Sequence, residues 1–364
     1  MTSRSRLRMI GGHLRHQARL KLADWRDTER KRPIRHDPWH WQSVGATDVV
    51  SRAYPLFPKP VHGQHPRIAV PDDWFPCPDL GLDTALPFGW DPIYHTHFTQ
   101  PFQPVKLWRN TIALSHYIEN AATSADRHAA LTLLNMLFDR MRDFTIRQDG
   151  GAFIENRFDY RSDRFTIPAP WVSAIANAFA ILACLRALPH IDMKSDIAAY
   201  AQAYRIVQAA GRAGPARWIS YRDRRGYLWF DEYPQPRGKA TRVKNGHIFS
   251  VLALHEASLI QPDTGLDELA RAGAATIESY ALCFRRPNKR SLYALGRRRK
   301  PDYLPNRAMR QLYQLYQLTG EQRFIDYGDL FVADAERLVD HDLMQAVSAT
   351  RAETIRLRRM FEQT

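Results

Sequence analysis

The pattern of apolar and polar residues divides the chain into a front part without helical periodicity and a long helical part that begins near Val105. In the helical part, apolar residues recur at spacings of three and four, as in Leu131, Leu134 and Leu137. This spacing predicts amphipathic helices. With ends set by Gly and Pro residues, we place helices at 107–119, 126–144, 170–188, 195–213, 246–260, 266–284, 306–319 and 322–339.

Short stretches between these helices have the composition and alternation of β-strands. They lie at 153–158, 218–221 and 227–233, and the last two flank a turn of hairpin length. Helix pairs that are joined alternately by short turns and by long loops with hairpins are the building plan of an α/α barrel. The sequence therefore predicts a mainly α fold, an incomplete, toroid-like α/α barrel with short β hairpins. An irregular helical domain is the alternative.

Two segments without a strong helical period precede these helices. Residues 37–104 are dense in proline and aromatic residues, which excludes long helices and central strands, so we expect this segment to wrap a neighbouring domain. Residues 1–36 form a basic arm, with a helix lying on an anionic membrane surface as the alternative. The predicted organisation is an arm (1–36), a wrapping segment (37–104), a barrel-like domain (105–345) and a C-terminal tail (346–364).

The formal net charge of +14 predicts an acidic partner: nucleic acid, an anionic lipid surface or a polyanionic carbohydrate. The basic residues gather in the arm and in a second cluster between Arg285 and Lys300, which contains no acidic residue. Each cluster can also be an ordinary solvated face. Because no nucleic-acid recognition motif accompanies the charge, we expect an acidic polysaccharide rather than nucleic acid.

Sequence features that would indicate metals, cofactors or export are not found. The three cysteines are widely separated, and there is no HExxH motif, no CxxC motif and no Gly-rich phosphate loop. No apolar run is long enough to span a membrane, and the N-terminus lacks a continuous apolar signal region. We therefore expect no metal and no cofactor, and a cytoplasmic protein whose basic arm contacts the inner membrane face. A homodimer is a further expectation.

The stretch from residue 229 to residue 250 brings acids, phenols and cations close together in the sequence. Strand alternation turns Glu232 to the opposite side from Asp231 and Tyr233. Pro234 then ends the strand, and a turn there can bring the side chains of Glu232 and Tyr233 to the same opening of a site. Asn245 follows as a predicted N-cap for the next helix. Aromatic strand ends that pack on helices would produce the same pattern without any function.

Three ordered motifs in the chain resemble those of one enzyme family. They are PWVSAIA at Pro170–Ala176, WFDEYP at Trp229–Pro234 and NGHIFS at Asn245–Ser250. Together they resemble the C-terminal domain of the D-glucuronyl C5-epimerases, over about residues 100 to 340. The resemblance implies an α/α barrel-like domain that acts on glucuronic acid units of a polysaccharide such as heparosan.

The resemblance also implies roles for individual residues. The family's catalytic Glu matches Glu232, its adjacent Tyr matches Tyr233, and two later tyrosines match Tyr293 and Tyr303. The stretch between these two tyrosines is shorter here than in the family. Arg297 stands one position late relative to the family arginine, and Leu and Arg replace the histidines that follow the second tyrosine.

C5 epimerisation removes the proton next to the uronate carboxylate on one face and returns a proton on the other, which requires two groups. We expect Tyr293 and Tyr303 to transfer the protons, or one of them together with Glu232, while Tyr233 positions the sugar. Arginine can bind the carboxylate bidentately. The candidates for binding the substrate, besides Tyr233, are Arg297, Arg242, Lys244, Trp229, Asn245 and Trp171.

Two other functions use the same features. A uronate polysaccharide lyase abstracts the same proton and then expels the substituent at C4. A non-catalytic carbohydrate-binding or biosynthetic scaffold protein would bind the polymer without exchanging the proton. For an epimerase in the cytoplasm, the expected context is the synthesis of a capsule or an exopolysaccharide.

Overall fold

The computed structural model describes residues 104–161, 165–209, 217–235, 240–295, 305–335 and 341–362. The basic arm and nearly all of the Pro-rich segment lie outside these residues, as do Arg297 and Tyr303. The described chain is mostly helical with small sheets, which confirms the prediction of a mainly α fold with short β elements. Its helices are α1 (Pro104–Asn120), α2 (Ser124–Asp143), α3 (Ala174–Ala187), α4 (Lys194–Gln202), α5 (Lys244–Ile260), α6 (Leu266–Phe284), α7 (Pro305–Thr319), α8 (Arg323–Ala335) and α9 (His341–Glu362).

The odd-numbered helices pack against one another in sequence, and the even-numbered helices pack against them. Helix α1 contacts α3, α3 contacts α5, and α5 contacts α7. Each of these four helices also packs against the even-numbered helix that follows it. Helices α3 and α5 are apolar on nearly every side because they are covered by neighbours all round. None of the described helices is both long and apolar enough to cross a membrane.

Three small sheets lie in the connections between helices. Their strands are β1 (Thr145–Gln148), β2 (Gly151–Asn156), β3 (Tyr160–Arg161), β4 (Thr166–Ile167), β5 (Trp171–Val172), β6 (Val207–Ala209), β7 (Ser220–Arg222) and β8 (Leu228–Phe230). The sheet orders are β1-β2-β5, β3-β4 and β6-β7-β8. Strand β6 runs parallel to β7, whereas the other pairs are antiparallel. These sheets carry the segments that precede α3 and α5.

Most predicted helix positions are confirmed, but three segments differ. The helix predicted at 195–213 ends as α4 at Gln202, and residues 207–209 form strand β6, which pairs with β7. The strand predicted at 227–233 stops at Phe230, because the next carbonyl accepts from Ala174 N rather than from a strand. Residues 346–362, predicted as tail, belong to α9, which packs on α7.

Candidate active site

The end of β8 is held in place from two sides. On one side, Asp231 N donates to Ile219 O at 2.7 Å, which continues the pairing of β7 and β8. On the other side, Ala174 N donates to Asp231 O at 3.0 Å, and the hydroxyl of Ser173 donates to Glu232 O at 2.7 Å. Ser173 immediately precedes α3. The backbone that carries both carboxylates is therefore fixed to the start of this helix.

The carboxylate of Asp231 holds the loop that leads into α5. It is completely buried and accepts from Thr241 N at 2.9 Å, from Thr241 Oγ1 at 2.6 Å and from Arg242 N at 3.0 Å. Burial raises the pKa of Asp231 to about 6, although these hydrogen bonds favour the ionised form. We call this arrangement the Asp231 clasp.

The loop that the clasp holds is paired in turn with the segment of Tyr293. Val243 and Ala294 form an antiparallel bridge. Next to it, Lys244 N donates to Tyr293 O at 3.2 Å. Asp231 therefore fixes, through this loop, the position of a tyrosine that lies about sixty residues later in the chain.

Glu232, Tyr233 and Tyr293 come together at the centre of the candidate site. The Tyr293 hydroxyl donates to Glu232 Oε1 at 2.9 Å, and the Tyr233 hydroxyl lies 3.5 Å from the Tyr293 hydroxyl. Burial and the nearby charge of Glu232 raise the pKa of Tyr233 well above its usual value. Tyr233 is therefore a protonated hydrogen-bond donor at neutral pH, which fits the predicted positioning role.

The carboxylate of Glu232 packs against the first turn of α5. A Cβ atom added at Gly246 would lie 2.5 Å from Glu232 Oε2 and 3.1 Å from Glu232 Cβ. Only glycine leaves room for the carboxylate in this position. The N-terminus of a helix carries a partial positive charge, which stabilises a carboxylate placed there. The NGH motif thus supplies both space and an electrostatic environment for Glu232.

An aromatic wall adjoins this centre. The ring of Tyr160 stacks on Tyr233 with centroids 4.4 Å apart, and Trp171 lies 5.9 Å from Tyr233 and 5.7 Å from Tyr160. The Trp171 indole N–H donates to Phe158 O at 2.8 Å, which fixes its orientation. Sequence reasoning identified Trp171 and Tyr233 but not Tyr160. Tyr160 lies in the two-residue strand β3, which carried no recognisable strand pattern.

Trp229 was predicted to bind substrate, but the structure places it in the core. Its side chain has no exposed surface, and its indole N–H donates to Asp223 Oδ2 at 3.1 Å. Its ring packs against His247 and Tyr280. Trp229 therefore supports the site from behind and does not contact a sugar directly. Strand alternation directs its ring towards the helices.

The two predicted cations near α5 also point elsewhere. Arg242, which is buried, has its guanidinium 5.8 Å from the ring centroid of Trp229. Lys244, also buried, donates from Nζ to Ser291 Oγ at 2.7 Å and lies 4.9 Å from the ring centroid of Phe331. These contacts do not involve Glu232, and substrate binding by Arg242 or Lys244 remains a prediction.

Asn245 lies in the first turn of α5 and not at the N-cap, because the helix already begins at Lys244. Its backbone carbonyl accepts from Gln311 Nε2 at 3.0 Å, which connects α5 to α7. The side-chain oxygens of Asn245 and Gln311 are buried and have no hydrogen-bond partner among the described residues. Gln311 was not predicted from the sequence.

Tyr303 and Arg297 fall outside the described residues, and their proposed roles remain predictions. Within the described ranges, no cluster of three or more His, Cys, Asp or Glu residues is arranged to hold a metal ion. What the described centre offers is a hydrogen-bonded carboxylate and phenol, a second protonated phenol and an aromatic wall. Such a set can move a proton and hold a sugar ring.

Comparison with known proteins adds independent findings. The chain is similar over 179 residues to the D-glucuronyl C5-epimerase of Caenorhabditis elegans, at 25% identity; the match covers 49% of this chain and 25% of that protein. A crystal structure of D-mannose isomerase is similar at 12% identity, covering 66% of this chain and 61% of that chain with a TM-score of 0.45. The family model described as D-glucuronyl C5-epimerase C-terminus matches residues 148–333, about half of the chain and the region that holds Glu232, Tyr233 and Tyr293. The protein therefore belongs to the D-glucuronyl C5-epimerase C-terminal family.

Proposed function

We propose that the protein is a C5-epimerase of glucuronic acid residues in an acidic, heparosan-like polysaccharide. The observation that carries this proposal is the 2.9 Å hydrogen bond from the Tyr293 hydroxyl to Glu232 Oε1, with the protonated Tyr233 hydroxyl beside it. A carboxylate and phenols within hydrogen-bonding distance can take and return a proton. The family membership of the surrounding chain supports the same chemistry.

The direct hydrogen bond also limits how the protons can be transferred. Two groups that act on opposite faces of a sugar must have the ring between them. Glu232 and Tyr293 are in contact, so in this arrangement they form one proton-transferring unit on one face. The pair removes or returns the C5 proton on this face. A proton can also move between the Tyr293 phenol and the Glu232 carboxylate along their hydrogen bond. For the opposite face we propose Tyr303.

The remaining residues would hold the sugar and stabilise charge. Negative charge develops on the uronate carboxylate when the C5 proton leaves, and a cation next to it lowers the barrier. We propose Arg297 for this role. Tyr233 donates to a sugar oxygen, and its ring is held in place by its stacking on Tyr160 and by its contact with Trp171.

We further propose that the helices form an incomplete α/α barrel. The alternation in packing, in which α1, α3, α5 and α7 contact one another in order and each has an even-numbered partner, supports this arrangement. The connections that carry β5, β8 and the Tyr293 segment would then lie at one end of the barrel. A polymer could cross this end, because the site is built from loops rather than from a closed core.

The test is incorporation of deuterium at C5, followed by NMR, when the protein is incubated with glucuronic acid polymers in deuterated water. We expect exchange with the wild type and a large loss with Tyr293→Phe, which keeps the ring and removes only the hydroxyl. Exchange that is unchanged in Tyr293→Phe would contradict the assignment. An unsaturated product that absorbs in the ultraviolet would instead indicate a lyase, and binding without exchange would indicate a scaffold.

A further inference from the structure

A basic pocket lies next to the candidate site. It is lined by Arg285, Arg286, Lys289, Ser291, Phe331 and Asp334, among others. Three of these side chains are cations and one is an acid. The pocket is lined by residues of the turn that follows α6 and by residues of α8. No role in proton transfer has been given to any of its residues.

The acid in the pocket is used to build the turn. The carboxylate of Asp334 accepts from Arg285 Nη2 at 3.1 Å and from Asn288 N at 2.9 Å. Asn288 has a φ of 56°, a left-handed conformation that closes a tight turn. Arg286 and Lys289 form an isolated β-bridge across this turn. Asp334 thus neutralises Arg285 and fixes the backbone from which the next two cations project.

The charges of Arg286 and Lys289 are not neutralised within the described part of the chain. Their side chains form no ion pair with any residue in the described ranges, and Lys289 is exposed. A positive charge also lies beneath the pocket, because Lys244 Nζ donates to Ser291 Oγ and lies 4.9 Å from the ring centroid of Phe331. Cations on one wall and below the floor favour an anionic occupant.

This pocket directly adjoins the proton-transferring pair. Ser291 lines the pocket, and Tyr293 follows two residues later, which is about 7 Å along an extended chain. Lys244 links the two places, because its N–H donates to Tyr293 O while its side chain reaches Ser291. One polymer chain that presents a uronate to Glu232 can therefore place a neighbouring group over the pocket.

We propose that Arg286 and Lys289, the two cations of this pocket that form no ion pair with the described residues, bind a second anionic group, a carboxylate or a sulfate, of the same polymer whose uronate lies at the Glu232–Tyr293 pair. The inference rests on the proposed function and extends it to substrate selection. A chain with repeated negative charges binds at both places, whereas a fragment with a single uronate reaches only one. The cation cluster thereby selects a polyanionic substrate over an isolated sugar acid.

The experiment measures binding by calorimetry, so that it does not depend on turnover. The ligands are a disaccharide and a decasaccharide of glucuronic acid and N-acetylglucosamine. In Arg286→Glu/Lys289→Glu, we expect the dissociation constant of the decasaccharide to rise about tenfold, as for the loss of two partly exposed ion contacts. We expect that of the disaccharide to stay within about twofold. Salt should weaken decasaccharide binding in the wild type more than in this variant.

A charge-matched control separates a local site from the general positive charge. Arg127→Glu/Arg147→Glu changes the net charge equally at two exposed arginines on α2 and β1, and it should bind the decasaccharide like the wild type. Equal weakening in both double variants would overturn the pocket. If the charge reversal impairs folding, seen by thermal unfolding, Arg286→Gln/Lys289→Gln gives the same test with a smaller expected change, and wild-type affinity in it would also overturn the pocket.

Two further arms complete the design. A sulfated decasaccharide that binds the wild type more tightly than the unsulfated one, with the difference lost in Arg286→Glu/Lys289→Glu, assigns a sulfate to the pocket; equal affinities in the wild type assign a carboxylate. Pocket-dependent binding without deuterium exchange at C5 would overturn the proposed function and leave the binding site standing. Exchange with no dependence of affinity on Arg286 and Lys289 would overturn the pocket alone.

Discussion

Asp231 and Glu232 are adjacent carboxylates at the end of one strand, yet they occupy opposite environments. Asp231 has no exposed surface, and three backbone or hydroxyl donors of Thr241 and Arg242 surround it. Glu232 faces a phenol and the N-terminal turn of a helix. Two adjacent carboxylates thus have different surroundings, because successive residues of an extended chain point in opposite directions.

The comparison shows that the supporting carboxylate helps to position the hydrogen-bond partner of the proposed catalytic carboxylate. Asp231 holds the loop that pairs with the Tyr293 segment, and Tyr293 donates to Glu232. Asp231 therefore helps to set the distance between the Tyr293 hydroxyl and the Glu232 carboxylate, the proposed catalytic group. A change at Asp231 should affect folding first and activity as a consequence, whereas a change at Glu232 should affect activity alone.

The largest effect is expected for Glu232→Gln. The amide keeps the shape but cannot take a proton, so C5 deuterium exchange should fall by about 10²–10⁴-fold. The free energy of unfolding should change by less than about 1 kcal/mol, because the packing is kept. Glu119→Gln, at an exposed position in α1, is the control and should leave both quantities unchanged. Retained exchange in Glu232→Gln would remove the residue from the mechanism.

The pH dependence of stability should show opposite contributions from two buried groups next to Phe230. They are the carboxylate of Asp231, the next residue in the chain, and the imidazole of His247, which accepts from Phe230 N at 2.9 Å. The pKa of Asp231 is raised from 3.8 to about 6, so its contribution is complete below pH 4 and is lost as the pH rises through 6. The pKa of His247 is lowered from 6.5 to about 4 by burial, so its contribution is present above pH 6.5 and is lost as the pH falls towards 4.

When one of the two groups is removed, the free energy of unfolding should change with pH between 4 and 6.5 as the remaining group requires. Relative to wild type, Asp231→Asn should lose stability as the pH falls, and His247→Asn should gain it, each by roughly 3 kcal/mol across the window. Urea unfolding at a series of pH values measures both differences. Parallel curves for the wild type and Asp231→Asn would show that the carboxylate does not titrate in this range.

At neutral pH, Asp231→Asn should lower the free energy of unfolding by about 2 kcal/mol. The amide offers one acceptor where the carboxylate has two, and its NH₂ group would face the N–H groups of Thr241 and Arg242. Exchange activity should fall as well, because the Tyr293 segment loses its anchor. Chemical denaturation provides the measurement. Wild-type stability together with wild-type activity would show that the clasp does not position Tyr293.

The smallest effect is expected for Gly246→Ala. The added Cβ would lie 2.5 Å from Glu232 Oε2, so the carboxylate must move away from its present position. Exchange should fall about tenfold, which is less than the roughly hundredfold loss that a 1 Å misplacement of a catalytic group can cause. Stability should not fall by more than about 1 kcal/mol, since alanine is favoured over glycine within a helix. Loss of stability with full specific activity would contradict the proposed packing of Glu232.

Much of the fold could be predicted, because helical periodicity is a local property of the sequence. The positions of α1, α2, α5 and α6 agree with prediction to within a few residues. Errors occurred where a distant partner decides the structure. Residues 207–209 have an apolar pattern that continues the preceding helix, but they form a strand because β7 lies beside them. Such pairing leaves no mark in the segment itself.

The site was predicted in part and for a similar reason. The resemblance pointed to Glu232, Tyr233 and Tyr293, and the structure brings these three together. Arg242 and Lys244 were also predicted as substrate-binding residues, and their described contacts include the Trp229 ring and the Ser291 hydroxyl. Tyr160 was missed, because its stacking on Tyr233 joins residues more than seventy positions apart.

The sequence by itself determined that this chain is helical, basic and similar to an epimerase family, since periodicity, charge and motifs are read along the chain. Only the tertiary structure decided that the Asp231 carboxylate is buried in the Asp231 clasp and that the Tyr293 hydroxyl contacts Glu232. The physical reason is that a hydrogen bond depends on distance in space. Its partners here are ten to about sixty residues apart, and only the packing of helices and loops sets their separation.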